Sequence, residues 1–228
     1  MVARTAAVFF DVDFTLIHPG PAFQGAGYQA NCARFGIEVD PSRFEAAVAG
    51  ASSVLDTADQ SYDAQLYVNY TRRIIELMGG TGRHLETVAR DIYDQWAEHR
   101  HFSLYDDVAA ALMTLHGRGI RLGLISNSHR CLASFQSHFE LDGLISATVS
   151  SSDHGFMKPH PRIFAVALEL MQVGAAESVM VGDSLTHDVA GARRAGMRGI
   201  LLARGERETP VDPEVTVIRS LAELPGLV

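Results

Sequence analysis

Five short apolar segments, separated by helical patterns, constrain the fold of this chain more than any other feature of its sequence. Each is bounded by Asp, Asn, Ser or Gly, and they are Ala6–Phe10, Ile120–Ile125, Leu144–Val149, Ser178–Val181 and Gly199–Leu202. Helical patterns lie between the later segments, at Asp107–His116, Pro161–Met171 and Thr186–Ala195. Consecutive apolar positions are typical of strands buried on both faces of a parallel sheet. The alternation predicts an α/β fold with a doubly wound, Rossmann-like parallel sheet as its core.

One long interval, from Ile17 to Phe102, breaks this alternation. It contains no strand-like run, and its helical patterns are Phe23–Phe35, Arg43–Ala49, Tyr62–Met78 and Arg83–His99. We interpret residues 17–102 as a second, helical domain. It is inserted into a core formed by residues 1–16 and 103–228. The two chain crossings, near Ile17–Gly20 and Arg100–Leu104, are expected to act as a hinge.

The composition is ordinary for a globular protein and weighs against several functional classes. Hydrophobic residues make up 47% and charged residues 20% of the 228 positions, which argues against a disordered chain. The 19 basic and 27 acidic residues give a net charge of −8, which disfavours a nucleic-acid partner. No segment has the length and apolarity of a signal sequence or a membrane span. The two cysteines, Cys32 and Cys131, lie far apart and outside any zinc-binding pattern. We therefore expect a reduced, cytoplasmic protein without nucleic-acid or membrane partners.

Two pairs of carboxylates follow predicted strands. Asp11 and Asp13, in the segment DVDFT, stand two positions apart at the end of the first strand, where ligands of open α/β sheets bind. Asp183 and Asp188 follow another predicted strand, in the segment GDSLTHD. Each pair alone is also explained by a turn or by the start of a helix. If both strand ends meet, four like charges crowd one site. A divalent cation would relieve their repulsion, and all-oxygen ligands favour Mg²⁺.

A lysine and two polar residues lie at comparable positions. Lys158, in the segment MKPHP, precedes a helix whose N-terminus disfavours a cation, so this side chain is either solvated or facing an anion. Ser126 and Asn127 end the strand that begins near Ile120, where a hydroxyl and an amide can donate to phosphate oxygens. A Ser/Asn turn is the alternative explanation of this second segment.

These four segments fall in order, each at the end of its own predicted strand, and the arrangement resembles the haloacid dehalogenase (HAD) superfamily. The residues that are similar to its four motifs are, in order, Asp11–Thr15, Ser126, Lys158, and Asp183 with Asp188. The helical insert between the first two motifs is similar to the type C1 cap of that family. The resemblance covers essentially the whole chain. It departs from the family at Phe14, a position that is often glycine.

The resemblance implies a role for each residue in a phosphoryl transfer. Asp11 is the expected nucleophile, which attacks phosphorus and becomes an aspartyl phosphate. Asp13 is expected to protonate the leaving oxygen and then to activate water. Ser126, Asn127 and Lys158 are expected to bind the phosphoryl group and to stabilise its charge.

The resemblance also implies a magnesium site. The expected ligands are Asp11, the backbone carbonyl of Asp13, and Asp183. Asp188 is expected to bind the ion through water or to orient Lys158. Dehalogenases of the family lack the second aspartate of the first motif and use no metal, so Asp13, Asp183 and Asp188 argue against that branch.

The sequence therefore predicts a Mg²⁺-dependent phosphatase that hydrolyses a small phosphorylated metabolite. A sugar phosphomutase, which also uses two aspartates, stays open as an alternative, as does a haloacid dehalogenase. A non-catalytic HAD-like binding protein is the alternative from another class, although Asp11, Asp13 and Lys158 are all present. The sequence does not identify the substrate. Ala47–Gln60, which contains Ser and Asp and links two helical stretches, is a candidate specificity loop.

Overall fold

The computed structural model describes residues 4–55, 60–205 and 212–228. The chain divides into two compact units, one formed by Met1–His18 with Leu104–Val228 and the other by Pro19–Ser103. The first unit is the α/β unit and the second is the helical unit. No helix in the described ranges has both the length and the apolar character needed to cross a membrane.

A parallel sheet forms the centre of the α/β unit. The strands are β1 Ala7–Phe10, β2 Ile17–Pro19, β3 Phe102–Leu104, β4 Arg121–Ser126, β5 Ile145–Ser150, β6 Ser178–Gly182, β7 Arg198–Leu202 and β8 Thr216–Ile218. Six of them form one sheet in the order β5-β4-β1-β6-β7-β8, and every pairing in it is parallel. This topology confirms the predicted doubly wound, Rossmann-like core. It also places β1 between β4 and β6, with Phe10 level with Leu124 on one side and Val181 on the other.

Helices cover the sheet and build the second unit. They are α1 Gly25–Ala33, α2 Phe44–Ala51, α3 Ala64–Leu77, α4 Leu85–Gln95, α5 Val108–Gly117, α6 Leu132–His138, α7 Ser151–His154, α8 Pro161–Met171 and α9 Gly191–Arg194. Helix α8 has the bounds predicted from its sequence: Pro161 is its first residue, and the His160 imidazole accepts a hydrogen bond from the Arg162 N–H at 3.2 Å. Its Ile163 and Phe164 pack against Phe9 of β1 in one buried cluster. Burial of β1 on both sides explains its unbroken apolar sequence.

The helical unit contains α1–α4. The pairing partners β2 and β3 form a separate two-stranded sheet where the chain passes from one unit to the other. With three residues each, these strands are too short to leave a recognisable apolar run. The candidate loop Ala47–Gln60 begins inside α2 and continues as a 3₁₀ turn over Ser52–Leu55, and its residues 56–59 lie outside the described residues.

The segment that follows β6 differs from its predicted form. A single helix was expected over Thr186–Ala195, but the chain forms a π-helical turn over Leu185–Ala190 before the short α9. Gly196 adopts the left-handed conformation (φ 80°) that ends this segment. A π-helical turn widens the backbone locally and is frequent at functional sites. Here it carries Asp188, which is buried.

Candidate active site

Asp11 is the first residue after β1, at the carboxyl edge of the sheet. Its N–H donates to the Val181 carbonyl of β6 at 2.9 Å, so the backbone pairing of the sheet continues through this residue. The Thr15 hydroxyl donates to Asp11 Oδ2 at 3.2 Å. The Asp11 carboxylate is thus nearly buried and held from its own loop.

Lys158 lies between two carboxylates. Its Nζ is 2.5 Å from Asp11 Oδ1 and 2.7 Å from Asp188 Oδ1. Asn127 fixes the lysine backbone from the neighbouring loop, because its amide oxygen accepts from the Lys158 N–H at 2.6 Å and its amide nitrogen donates to the Lys158 carbonyl at 2.9 Å. Of the two sequence-based explanations for Lys158, the structure therefore selects the one in which it faces anions.

Three carboxylates converge beside this lysine. Oxygen atoms of Asp11, Asp183 and Asp188 all lie within 4.8 Å of one another. Asp188 is further held by the Ser184 N–H, which donates to its Oδ2 at 3.0 Å. The β1 and β6 strand ends, which the sequence could only suppose to meet, do meet, and the side-chain carboxylate of Asp13 is outside this group of three.

The clustering alters the ionisation of these groups. Burial raises the pKa of Asp11 well above its ordinary value, with Asp188 and Asp183 adding to the effect and Lys158 opposing it. Desolvation likewise raises the pKa of Asp183 to about 6, and repulsion from Asp188 adds to this although Asp183 is the exposed member of the three. Burial disfavours the charged form of Lys158. The attraction of the Asp11 and Asp188 carboxylates is stronger than this effect, and the pKa of Lys158 is raised. Burial is thus the largest influence on both aspartates, and repulsion between the carboxylates adds to it.

Asp13 is held by an arginine from the β4–α6 loop. Arg130 Nη2 donates to Asp13 Oδ1 at 3.0 Å, and the arginine side chain is 0% exposed against 17% for the aspartate. Between Asp13 and Thr15, Phe14 adopts φ 62°, a left-handed conformation that disfavours a side chain, and it is 45% exposed. Glycine, frequent at this position in the family that the motifs resemble, would adopt this conformation without strain.

An open cavity connects these groups. It is lined by Asp11, Asp13, Asn127, Lys158, Asp183, Ser184, His187 and Asp188. Of the residues predicted for the site, the described lining lacks Ser126. That residue is buried at the end of β4, where its hydroxyl shares a hydrogen bond with the Ser128 hydroxyl at 2.9 Å. Its phosphate-binding role stays a prediction.

Comparison with known proteins places this arrangement in a family. The model of the haloacid dehalogenase-like hydrolases matches residues 5–196. This chain belongs to that hydrolase family. The haloacid dehalogenase-like hydrolase domain-containing protein 3 of Danio rerio is 28% identical over 96% of this chain and 94% of its own length.

Two further proteins to which this chain is similar have the names of phosphatases. The ribulose-1,5-bisphosphate 5-phosphatase of Halopiger xanaduensis is 30% identical over 88% of this chain and 85% of its own. The crystal structure of a HAD phosphatase from Thermococcus onnurineus superimposes with a TM-score of 0.68 at 22% identity. It covers 98% of this chain and 97% of that one, which shows a shared fold.

Several residues around this HAD site were not predicted from the sequence. Arg130 gave no signal, because a charged residue four positions after a strand end is ordinarily solvated. His187 lines the cavity and shares a hydrogen bond with the Ser184 hydroxyl at 3.1 Å. Arg204, beyond β7, donates to the Thr15 carbonyl at 2.9 Å and pairs with Asp107 at 2.8 Å, which anchors the loop that carries Asp11.

Proposed function

We propose that this HAD-family hydrolase is a Mg²⁺-dependent phosphatase that hydrolyses a small phosphorylated metabolite through an aspartyl phosphate. The observation that carries the proposal is the convergence of Asp11, Asp183 and Asp188 around Lys158. A nucleophilic carboxylate, a cation for the phosphoryl oxygens and ligands for a divalent ion are thereby adjacent. The phosphatase named among its relatives at 30% identity supports the same reaction class.

Asp11 is the proposed nucleophile. One of its carboxylate oxygens attacks phosphorus, an O–P bond forms to the aspartate, and the ester O–P bond breaks. The hydrogen bond from the Thr15 hydroxyl and the contact with Lys158 orient the carboxylate before substrate binds. Such positioning is a large part of catalysis in phosphoryl transfer.

Asp13 is the proposed proton carrier for both steps. It gives a proton to the departing ester oxygen and then takes one from the water that attacks the aspartyl phosphate. That second attack breaks the bond between Asp11 and phosphorus and releases inorganic phosphate. Asp13 lies two residues from the nucleophile and lines the same cavity, so one carboxyl group serves both steps.

The donor set fits Mg²⁺. Three carboxylates provide only oxygen ligands, and the repulsion of Asp188 and Asp183 for Asp11, and of Asp188 for Asp183, is what a bound cation would relieve. Asp11, Asp183 and the Asp13 carbonyl would hold the ion, with Asp188 acting through water or by orienting Lys158. When bound, the ion supplies positive charge that offsets these acids and the phosphate of the substrate.

The helical unit is proposed to act as a cap. The protein is further proposed to work in the cytoplasm, without a nucleic-acid or membrane partner. The described residues that line the cavity all belong to the α/β unit, and we propose that the helical unit supplies substrate selection. The net charge of −8 and the free cysteines Cys32 and Cys131 suit a small-molecule enzyme in a reducing compartment.

A metal-dependence assay tests the proposal. Phosphate release from a panel of phosphorylated metabolites should stop in EDTA and return with Mg²⁺, and Asp11→Asn should abolish it because no nucleophile is left. Asp106→Asn changes an exposed aspartate of the same unit outside the cavity and should leave turnover unchanged. Full activity in EDTA would contradict the metal requirement. Isomerisation of a sugar phosphate without phosphate release would indicate a mutase, and a protein inert towards every ester would indicate a binding protein.

A further inference from the structure

Arg130 is the largest fully buried side chain in the part of the chain that the structure describes. A guanidinium keeps its charge when it is buried, so its position in the interior requires a compensating anion or strong hydrogen bonds. It lies in the β4–α6 loop, four residues after Ser126, and its ion-pair partner is Asp13, 117 positions away in the sequence. The pair therefore joins the loops that follow the two neighbouring strands β1 and β4.

The contact between Arg130 and Asp13 involves one oxygen of the Asp13 carboxylate. Arg130 Nη2 donates to Asp13 Oδ1 at 3.0 Å, while the Asp13 side chain keeps 17% of its surface exposed and lines the cavity. Among the described residues, Arg130 is the side chain that hydrogen-bonds this carboxylate. One oxygen is thus anchored from the protein interior, while Asp13 also borders the cavity.

We propose that Arg130 is a positioning residue for the reaction, which fixes Asp13 through Oδ1 so that Oδ2 carries the proton in both steps. The inference rests on the proposed function, because it assigns a positioning residue to the proton carrier of that reaction. In the first step the Oδ2 proton passes to the ester oxygen as its bond to phosphorus breaks. In the second, Oδ2 receives a proton from water as the water oxygen bonds to phosphorus. Arg130 itself neither gives nor accepts a proton.

Positioning has a definite kinetic signature. A misplaced catalytic group slows the chemical steps without weakening the binding of substrate in its ground state. Arg130→Met should therefore lower kcat by about 10–100-fold, the range expected when a reacting group is displaced by about 1 Å. KM should change by less than about threefold, since uniform binding is untouched. Arg130→Lys keeps the charge but loses the planar donor set, and should recover part of the lost kcat.

A double-mutant cycle with Asp13 provides the test. Phosphate release from a ³²P-labelled ester is measured for wild type, Arg130→Met, Asp13→Asn and the double variant. If Arg130 acts only through Asp13, the arginine substitution should lower kcat by less than about twofold once Asp13 is Asn. Arg121→Met, at the opposite end of β4, is the matched control and should leave kcat unchanged. If Arg130→Met does not fold, the cycle is measured with Arg130→Lys.

The possible outcomes distinguish a failure of the inference about Arg130 from a failure of the proposed phosphatase function. An equal loss of kcat from the Arg130 substitution in both backgrounds would show a merely structural arginine and overturn the inference, while leaving the phosphatase assignment intact. An increase in KM with unchanged kcat would overturn it as well, because it would place Arg130 in substrate binding. A wild-type protein without Mg²⁺-dependent phosphate release would overturn both.

Discussion

The ionisation of each carboxylate in the cluster is affected by the charged groups beside it. Lys158 contacts Asp11 and Asp188, so one ammonium serves two acids, and Asp183 adds a third carboxylate to the group. Desolvation raises the pKa of Asp183 to about 6, from an ordinary value of 3.8, and repulsion from Asp188 adds to the shift. Between those two values the folded protein binds more protons than the unfolded chain. Stability then falls as the pH rises through about 6.

The pH dependence of metal stabilisation follows from this shift. In EDTA, the contribution of Asp183 to stability is complete below its unfolded pKa and is lost as the pH rises through the folded value, so the melting temperature should be lower at about pH 7 than at about pH 5. Mg²⁺ binds the ionised carboxylates and should raise the melting temperature more at the higher pH. The measurement is thermal unfolding over a pH series, with and without the ion.

Asp183→Asn is the matched variant for this experiment. It removes the charge without changing the shape, so in EDTA it should be more stable than wild type near pH 7, and the difference should shrink as the pH falls. It should also lose most of the stabilisation by Mg²⁺. A wild-type melting temperature that rises with pH relative to this variant would contradict the assignment.

Residues of the site differ in how far the sequence could identify them. The four aspartates of the site follow apolar strands, and parallel strands bring their carboxyl ends to one edge, so the sequence could indicate them. Lys158 was indicated differently, by its place before a helix N-terminus that disfavours a cation. Arg130 could not be found this way, since its role depends on a partner 117 positions away. The positive φ of Phe14 had only an indirect signal, because glycine is frequent at this position in the family that the motifs resemble.

At the scale of elements, the junction of β6 with the π-helical turn sets the position of Asp188. Gly182 ends β6, and a Cβ atom placed on it would lie 2.2 Å from Asp188 Oδ2 and 2.3 Å from its Cγ. The carboxylate therefore packs directly on the strand backbone, from which it reaches Lys158. The widened turn returns Asp188 to the strand end, where the Ser184 N–H also bonds it.

Gly182→Ala should disturb the site through this contact. The added methyl group forces Asp188 away from Lys158, which we expect to lower the free energy of unfolding by about 1–3 kcal/mol, as for other overpacked sites. Phosphate release and Mg²⁺ affinity should fall with it. Gly117→Ala, at the end of α5 where the same methyl group would meet open space, is the control and should retain activity. Full activity and unchanged metal affinity in Gly182→Ala would argue against the role of this glycine.

Elements with long apolar runs or clear helix starts were predictable, whereas short ones were not. Strands β2, β3 and β8 have three residues each, and in β8 two of the three are exposed, so no hydrophobic pattern marks them. The π-helical turn was also missed, because helical periodicity in the sequence does not distinguish an α-turn from one widened to receive a buried carboxylate.

At the scale of the whole molecule, the residues proposed for the reaction all belong to the α/β unit, and the inserted helices form the other unit. The α/β unit has its own six-stranded sheet and its own buried cluster, and it carries the full set of residues proposed for the reaction. The insert leaves and returns at adjacent points, because β2 pairs with β3 and the Gly20 N–H donates to the His101 carbonyl at 2.7 Å. The chain ends created by its removal would therefore be close enough for a short connection.

Removing residues 21–100 and joining Gly20 to His101 through a short Gly/Ser linker tests this division. We expect the remaining α/β unit to hydrolyse small esters such as 4-nitrophenyl phosphate, because the proposed nucleophile, proton carrier and metal ligands are all retained. Discrimination among larger metabolites should disappear, since the part of the chain proposed to enclose the substrate and exclude water is gone. Circular dichroism and thermal unfolding establish that the shortened chain is folded before its selectivity is compared with that of the full protein. A folded, shortened chain with the selectivity of the full protein would show that the α/β unit itself recognises the substrate, and would contradict the proposed cap.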